Sequence, residues 1–131
     1  MMMLDMNGFK SINDNFGHSQ GDEALVSLAD ILEKTVGADG TVTRFAGDEF
    51  VILLNTEKEN VVEKCKAQIK ENLDEFNKGS QKNYKLSASI GFGVFNLSEG
   101  SADQILKIID KRMYEDKKAY YALESHSRRD K

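Results

Sequence analysis

The chain has 131 residues, 40% hydrophobic and 31% charged, a balance that is typical of one folded domain and excludes a disordered, highly charged segment. The formal net charge of -4 argues against a broad surface for nucleic acid. No apolar run approaches the roughly 20 residues of a membrane-spanning helix, so we expect a cytoplasmic domain without direct membrane contact, whether or not its parent protein is membrane-anchored.

A buried strand and a short helix are predicted at the start of the chain. Residues 1–4 are apolar and run into Asp5, where we expect the strand to end. Residues 8–16 carry apolar side chains at helical spacing, and Gly17 then closes this helix.

A second, longer helix is predicted to run to about Val36, because apolar residues recur there at helical spacing. Ser19 and Asp22 have the spacing of a capping box at its start. A capping box would explain why an aspartate stands at position 22 without any role in binding a ligand.

Two runs of β-branched and aromatic residues, 41–45 and 50–54, predict a hairpin, since Gly47 and Asp48 lie between them. The turn presents two consecutive carboxylates, Asp48 and Glu49. Acidic residues are common at hairpin tips that bind nothing, so the turn alone does not require a metal.

The second half of the chain predicts a helix, a strand and a last helix. The first of these helices buries an apolar stripe that includes Cys65, the one cysteine, and a polar loop follows over residues 77–83. Residues 86–94 alternate between large apolar and small side chains, which indicates a strand with another element close to its small face. The last helix is predicted to start with Ser101 and Gln104 as its capping box.

The order of these elements predicts a mixed α/β (α+β) fold, with a sheet covered by helices. We expect one domain over residues 1–121 and a polar tail or linker over residues 122–131.

Four segments of the chain resemble one protein family. Residues 4–22 read LDMNGFKSINDNFGHSQGD, which resembles the nucleotide-binding stretch of the GGDEF family of diguanylate cyclase domains, written loosely as DxDxFKxINDxxGHxxGD. Residues 44–50, RFAGDEF, resemble the signature that names the family. Residues 89–91 and 110–114 fit its later strand and last helix. The resemblance therefore covers nearly the whole chain.

This resemblance implies a palm-like nucleotide-cyclase fold, in which a central, mainly antiparallel sheet is flanked by helices and brings Asp5 beside Asp48. It implies a site for Mg²⁺ or Mn²⁺ made by these two carboxylates and the backbone carbonyl of Met6, since Mg²⁺ prefers oxygen ligands. Asp48 and Glu49 are the implied catalytic residues, and Glu49 would help to deprotonate an attacking 3′-hydroxyl.

The implied substrate is GTP. Its phosphates are expected at Gly8, Phe9 and Lys10, where a strand-to-helix turn exposes backbone N–H groups. Lys117 matches the phosphate-binding lysine of the family's last helix. A lysine near a helix C-terminus is also favoured by the helix dipole alone, so both explanations of Lys117 stand.

Asn13 and Asp22 are the residues that the resemblance assigns to guanine, as acceptors for its N1–H and N2–H groups. This assignment implies that ATP is rejected, because the acceptors would be left unpaired. The alternative for Asn13 is a solvated helix residue.

The chain also departs from the family pattern. Ala46 replaces the first glycine of the signature, for which we expect reduced activity. Asn7 replaces the second aspartate of the first block, and Tyr121 replaces an arginine four positions after Lys117. The chain starts inside the expected first strand, so we expect a fragment of a longer sensor or signalling protein.

The function implied is that of a diguanylate cyclase, which condenses two GTP into cyclic di-GMP and pyrophosphate when two GGDEF domains face each other as a homodimer. A neighbouring sensor or EAL domain is expected in the parent protein. One alternative is a degenerate GGDEF domain that binds GTP and regulates a partner without turnover. Another is a dimerisation module that binds no nucleotide.

Overall fold

The computed structural model describes residues 1–56, 58–82, 84–94 and 102–129. Its elements, in chain order, are β1 Met2–Met6, α1 Phe9–Phe16, α2 His18–Val36, a 3-10 turn Gly37–Asp39, β2 Gly40–Ala46, β3 Glu49–Leu54, α3 Glu59–Gly79, β4 Ala88–Phe92 and α4 Ala102–Arg129. This order confirms the mixed α/β class.

The four strands form one antiparallel sheet in the order β2-β3-β1-β4. β1 lies between β3 and β4, and all five of its residues are buried. In this register Asp5 is opposite Glu49 of β3 and Ser89 of β4. The predicted antiparallel sheet flanked by helices is therefore confirmed.

The sheet carries a separate apolar core on each face. The larger core joins β1, β3 and β4 to α1, α2 and α3, and the smaller one joins Met3 of β1 to Ile109 and Met113 of α4. Side chains alternate between the two faces along a strand, so Asp5 shares the α4 face with Met3. This alternation directs Asp5 toward α4.

α4 lies directly on β4 at Gly91. A Cβ atom at this glycine would overlap with the backbone carbonyl of Ile109 and the backbone nitrogen of Met113. The close approach predicted from the small residues of this strand is confirmed.

The outer edge of β4 is bonded to side chains of α4. The backbone N–H of Ile90 donates to Oδ2 of Asp116 at 2.8 Å, and Arg112 donates to the carbonyl of Phe92 at 2.7 Å. Asp116 also pairs with Lys70 of α3 at 3.1 Å. These contacts tie α3 and α4 to the edge of the sheet.

Several predicted boundaries differ from those in the structure. The capping box at α2 is wrong, because Gly17 is the N-cap, makes no side-chain capping bond, and leaves Ser19 inside the helix. α3 continues to Gly79 into the predicted loop, and α4 continues past Tyr121 to Arg129. Ser101 lies outside the described residues. No described helix combines the length and apolar character needed to cross a membrane.

Candidate active site

The end of β1 is joined to the turn between β2 and β3. β2 ends at Ala46 and β3 begins at Glu49, so Gly47 and Asp48 form a two-residue turn in which Gly47 has a positive φ of 49°. The backbone N–H of Met6 donates to the carbonyl of Asp48 at 3.1 Å. This bond holds the turn against the strand that carries Asp5.

The carboxyl groups of Asp5 and Asp48 face each other at this junction. Burial, together with a hydrogen bond to Asp5 and the negative charge of that residue, raises the pKa of Asp48 to about 6, although Lys117 partly offsets the effect. Oδ1 of Asp5 is buried and has no hydrogen-bond donor among the described residues. The other oxygen, Oδ2, is paired with Lys117, so only Oδ1 is left without the partner that a buried polar atom needs.

These oxygens fit a divalent cation, because Mg²⁺ is commonly held by one or two carboxylates and takes its other ligands from water and phosphate. Within the described ranges, no group of three or more His, Cys, Asp or Glu side chains is arranged to hold a metal ion. The side-chain ligands would therefore be the two aspartates, and the backbone carbonyl of Met6 remains the third predicted ligand.

Lys117 reaches the same carboxylate from α4. Its Nζ lies 2.5 Å from Oδ2 of Asp5, and both side chains are mostly buried. Burial disfavours the charged ammonium, but the hydrogen bond and charge of Asp5 outweigh that cost and raise the pKa of Lys117. Because α4 runs to Arg129, Lys117 does not lie at a helix C-terminus and the dipole explanation is wrong.

The turn between β1 and α1 lies beside this pair. Gly8 is the N-cap of α1 and has a left-handed φ of 71°, which an L side chain rarely adopts. Its backbone N–H donates to the hydroxyl of Tyr121 at 3.1 Å. Phe9 packs against the larger core, whereas Lys10 is exposed.

A cavity of about 1000 Å³ opens on this turn. Gly8, Phe9, Lys10, Asp48, Met6 and Lys117 all line it, so six of the predicted site residues share one space. Tyr84, Lys85, Tyr120 and Tyr121 also line it, and of these only Tyr121 lies at a position that the family resemblance singles out. The aromatic wall was missed because it comes from a loop and a helix far apart in the sequence.

The two predicted guanine residues lie outside that cavity. Oδ1 of Asn13 is buried without a donor among the described residues, and it packs on Gly21, where a Cβ would overlap with it. Asp22 is exposed and lines a smaller cavity of about 250 Å³, together with Arg44 and Phe50. Since the capping box is absent, Asp22 has no capping role at the start of α2.

Glu49 is the first residue of β3 and stands directly opposite Asp5. It is partly buried and does not line the larger cavity. Like charges opposite each other on neighbouring strands repel, and the ammonium of Lys117 beside Asp5 partly offsets this repulsion.

Asn7 has a structural role that no pattern in the sequence indicates. Its side chain is buried, donates to the hydroxyl of Ser87 at 3.0 Å and accepts from the hydroxyl of Ser89 at 2.7 Å. Its backbone N–H donates to the carbonyl of Ser87 at 2.8 Å. Asn7 therefore fixes the end of β1, and with it Asp5, against β4.

Known proteins match this chain over most of its length. The family model described as "Diguanylate cyclase, GGDEF domain" matches residues 1–121. Diguanylate cyclase A of Treponema denticola is 30% identical over 118 residues, which make up 89% of this chain and 32% of that protein. The chain therefore spans about a third of the length of that relative.

Solved structures share the fold. An EAL/GGDEF domain protein from M. capsulatus is 33% identical with a TM-score of 0.77, and the match covers 90% of this chain and 77% of that one. The active GGEEF domain of a diguanylate cyclase from Vibrio cholerae is 27% identical with a TM-score of 0.76, over 87% of this chain and 72% of that one.

Proposed function

This chain belongs to the GGDEF family of diguanylate cyclase domains, and on that premise we propose that it binds GTP with Mg²⁺ or Mn²⁺ and, as two facing copies, makes cyclic di-GMP. The observation that carries the proposal is the pair formed by Asp5 and Asp48, whose carboxyl groups meet where β1 reaches the hairpin turn. The reaction is the condensation of two GTP with release of pyrophosphate.

Asp5 and Asp48 would hold the metal, and the backbone carbonyl of Met6 would complete the protein ligands. The buried Oδ1 of Asp5, which lacks a donor among the described residues, supports this assignment. When bound, the metal supplies charge stabilisation at the α-phosphate of GTP. Asp48 lines the larger cavity, so the two carboxylates would hold the metal beside that space.

The triphosphate would lie along the turn that starts α1. Backbone N–H groups of Phe9 and Lys10 lie in the first turn of α1, where phosphate oxygens bind at other helix N-termini. The N–H of Gly8 would join them once it is released from the hydroxyl of Tyr121. The ammonium groups of Lys10 and Lys117 border the same cavity and add positive charge. These residues bind and orient the phosphates.

Guanine would be recognised by Asn13 and Asp22. The buried Oδ1 of Asn13 needs a donor, and N1–H and N2–H of guanine are donors that adenine does not present at the same positions. Loss of such pairs is costly, and this cost gives the site its selectivity for GTP over ATP.

In the reaction, the 3′-hydroxyl of one GTP attacks the α-phosphorus of the GTP on the facing copy. A bond forms between that oxygen and the phosphorus, the bond to the bridging oxygen breaks, and pyrophosphate leaves. Glu49 takes the proton of the hydroxyl group. The same transfer in the opposite direction closes the ring of cyclic di-GMP.

We place the domain in the cytoplasm, where GTP is available, as part of a longer protein with a neighbouring sensor or EAL domain. The second copy is a partner in catalysis, because each copy supplies one nucleotide. A single copy is expected to bind GTP without turnover.

The test is incubation of concentrated protein with Mg²⁺ and either GTP or ATP, followed by chromatography for cyclic di-GMP, with GTP binding measured in parallel. We expect product from GTP only, and its loss in Glu49→Gln. Glu63→Gln is the matched control, since Glu63 is exposed on α3 and loses the same charge. GTP binding without product in a covalently linked dimer would favour the regulatory alternative, and absence of GTP binding would reject the site.

A further inference from the structure

Tyr121 makes a contact that joins the two ends of the chain. Its hydroxyl accepts a hydrogen bond of 3.1 Å from the backbone N–H of Gly8, at the N-cap of α1. An N–H group at this position has no acceptor within its own helix and needs one from elsewhere. The phenol of Tyr121 satisfies it.

The surroundings hold the phenol in place without burying it. Tyr121 lies one helical turn after Lys117, which anchors that part of α4 through its ion pair with Asp5. The ring of Tyr120 packs edge-on at 5.2 Å between centroids. The side chain of Tyr121 is nevertheless 42% exposed, so it has room to turn away from Gly8.

We infer that the hydroxyl of Tyr121 and a phosphate oxygen of the nucleotide compete for the N–H of Gly8, so that Tyr121 lowers the affinity of the site for triphosphates. The inference rests on the proposed function, which places the phosphates at this turn. Tyr121 would act here as an affinity-determining residue, since it lies in the cavity wall with Gly8 and Lys117.

The competition follows from the chemistry of the two acceptors. A phosphate oxygen carries negative charge and makes a stronger hydrogen bond to N–H than a neutral phenol does, so phosphate displaces the hydroxyl. The displacement still breaks the hydrogen bond between Gly8 and the phenol, and this loss lowers the net free energy of phosphate binding. In a variant without the hydroxyl, phosphate replaces only water at Gly8, and the net gain is that of one ordinary hydrogen bond.

The test compares the wild-type protein with Tyr121→Phe by calorimetry in the presence of Mg²⁺. The probes are the α,β-methylene analogue of GTP, which cannot release pyrophosphate, inorganic tripolyphosphate, and guanosine. We expect Tyr121→Phe to bind both triphosphates about three- to tenfold more tightly and guanosine unchanged, as expected for one hydrogen bond. Tyr114→Phe is the matched control, because Tyr114 is an exposed tyrosine of the same helix outside the cavity wall.

A second measurement follows the Gly8 amide by NMR. We expect its cross-peak to shift in Tyr121→Phe without ligand, and to shift in the wild type on addition of tripolyphosphate. Unfolding curves for both variants verify that each is folded.

Each outcome decides the question. If the wild type binds the GTP analogue and Tyr121→Phe binds it equally or more weakly, Tyr121 either does not affect phosphate binding or itself binds phosphate. The inference is then overturned, while the proposed function stands. If neither protein binds the GTP analogue, the proposed function fails and the inference fails with it.

Discussion

The ammonium of Lys117 lies 2.5 Å from a carboxylate oxygen of Asp5, and it thereby neutralises the same group that we propose as a metal ligand. A cation bound at Asp5 and Asp48 would remove the need for that ion pair. Lys117 would then be free to pair with phosphate. Metal and triphosphate are therefore expected to bind cooperatively. The metal would replace Lys117 at Asp5, and the triphosphate would replace Asp5 as the partner of Lys117.

Lys117→Met tests this exchange. Removing one member of a largely buried pair leaves an uncompensated charge, so we expect the free energy of unfolding without metal to fall by about 2 kcal/mol. With saturating Mg²⁺ the loss should be smaller, since the cation takes over the neutralisation of Asp5. Urea unfolding with and without Mg²⁺ measures both values. Lys111→Met, at an exposed position on α4, is the control, and an equal loss in the two variants would contradict the exchange.

Asp48→Asn tests the electrostatic repulsion between the carboxylates of Asp5 and Asp48. The pKa of Asp48 is raised from 3.8 to about 6 in the folded protein, so folding favours its protonated form. That contribution is fully present below pH 3.8 and is lost as the pH rises through about 6. Without metal, we therefore expect Asp48→Asn to be more stable than the wild type near neutral pH, by about 1 kcal/mol after discounting for exposure, and the difference to shrink toward acid.

Urea unfolding across this pH range, without metal and then with Mg²⁺, is the measurement. Mg²⁺ should stabilise the wild type and leave Asp48→Asn unaffected. Asp30→Asn, at an exposed position on α2, should follow the wild type throughout. If both variants show the same pH dependence, the two carboxylates do not interact.

Gly21→Ala tests the guanine assignment. The added methyl would overlap with Oδ1 of Asn13, whose carboxamide must then turn away. Because alanine favours helix and only a side chain has to move, we expect little change in stability. GTP affinity should fall about tenfold or more, since an acceptor for guanine is displaced. Calorimetry with GTP measures this, and wild-type affinity in Gly21→Ala would contradict the role of Asn13.

Gly91→Ala is expected to act on stability instead. Its methyl would overlap with the backbone of α4 at Ile109 and Met113, and backbone cannot move as freely as a side chain. We expect a loss of about 2 to 3 kcal/mol in the free energy of unfolding. Gly79→Ala is the control for both glycine variants, because a Cβ there would contact nothing. A loss no greater than in the control would show that α4 can shift.

Local patterns in the sequence were enough to predict most of the helices and strands. Gly47 and Asp48 between two β-branched runs predicted the hairpin, and the alternation around Gly91 predicted the approach of another element, because both signals lie within a few residues. The capping box was wrong because Gly17, with φ of 91°, allows α2 to begin at His18 and leaves Ser19 in its first turn. The end of α4 was missed because residues 124–129 are polar and carry no apolar stripe at helical spacing.

The candidate site was less accessible to sequence reasoning. The pairing of Asp5 with Asp48 was expected from family resemblance, and the assignment of Glu49, Asn13 and Asp22 remains a prediction. The bond between Gly8 and Tyr121 joins residues at opposite ends of the chain, and no local pattern indicates it. In the sequence, Tyr121 indicates only the loss of an arginine.

The side chains along β4 bear on how two copies can meet. A strand whose edge groups are unpaired can pair with a strand of another chain and extend the sheet. At this edge, however, the N–H of Ile90 already donates to Asp116, and the carbonyl of Phe92 already accepts from Arg112. A second copy would have to break both contacts, and disturb the link to Lys70, before a continuous intermolecular sheet could form. Two copies that meet for the proposed reaction are therefore not expected to do so by strand addition at β4.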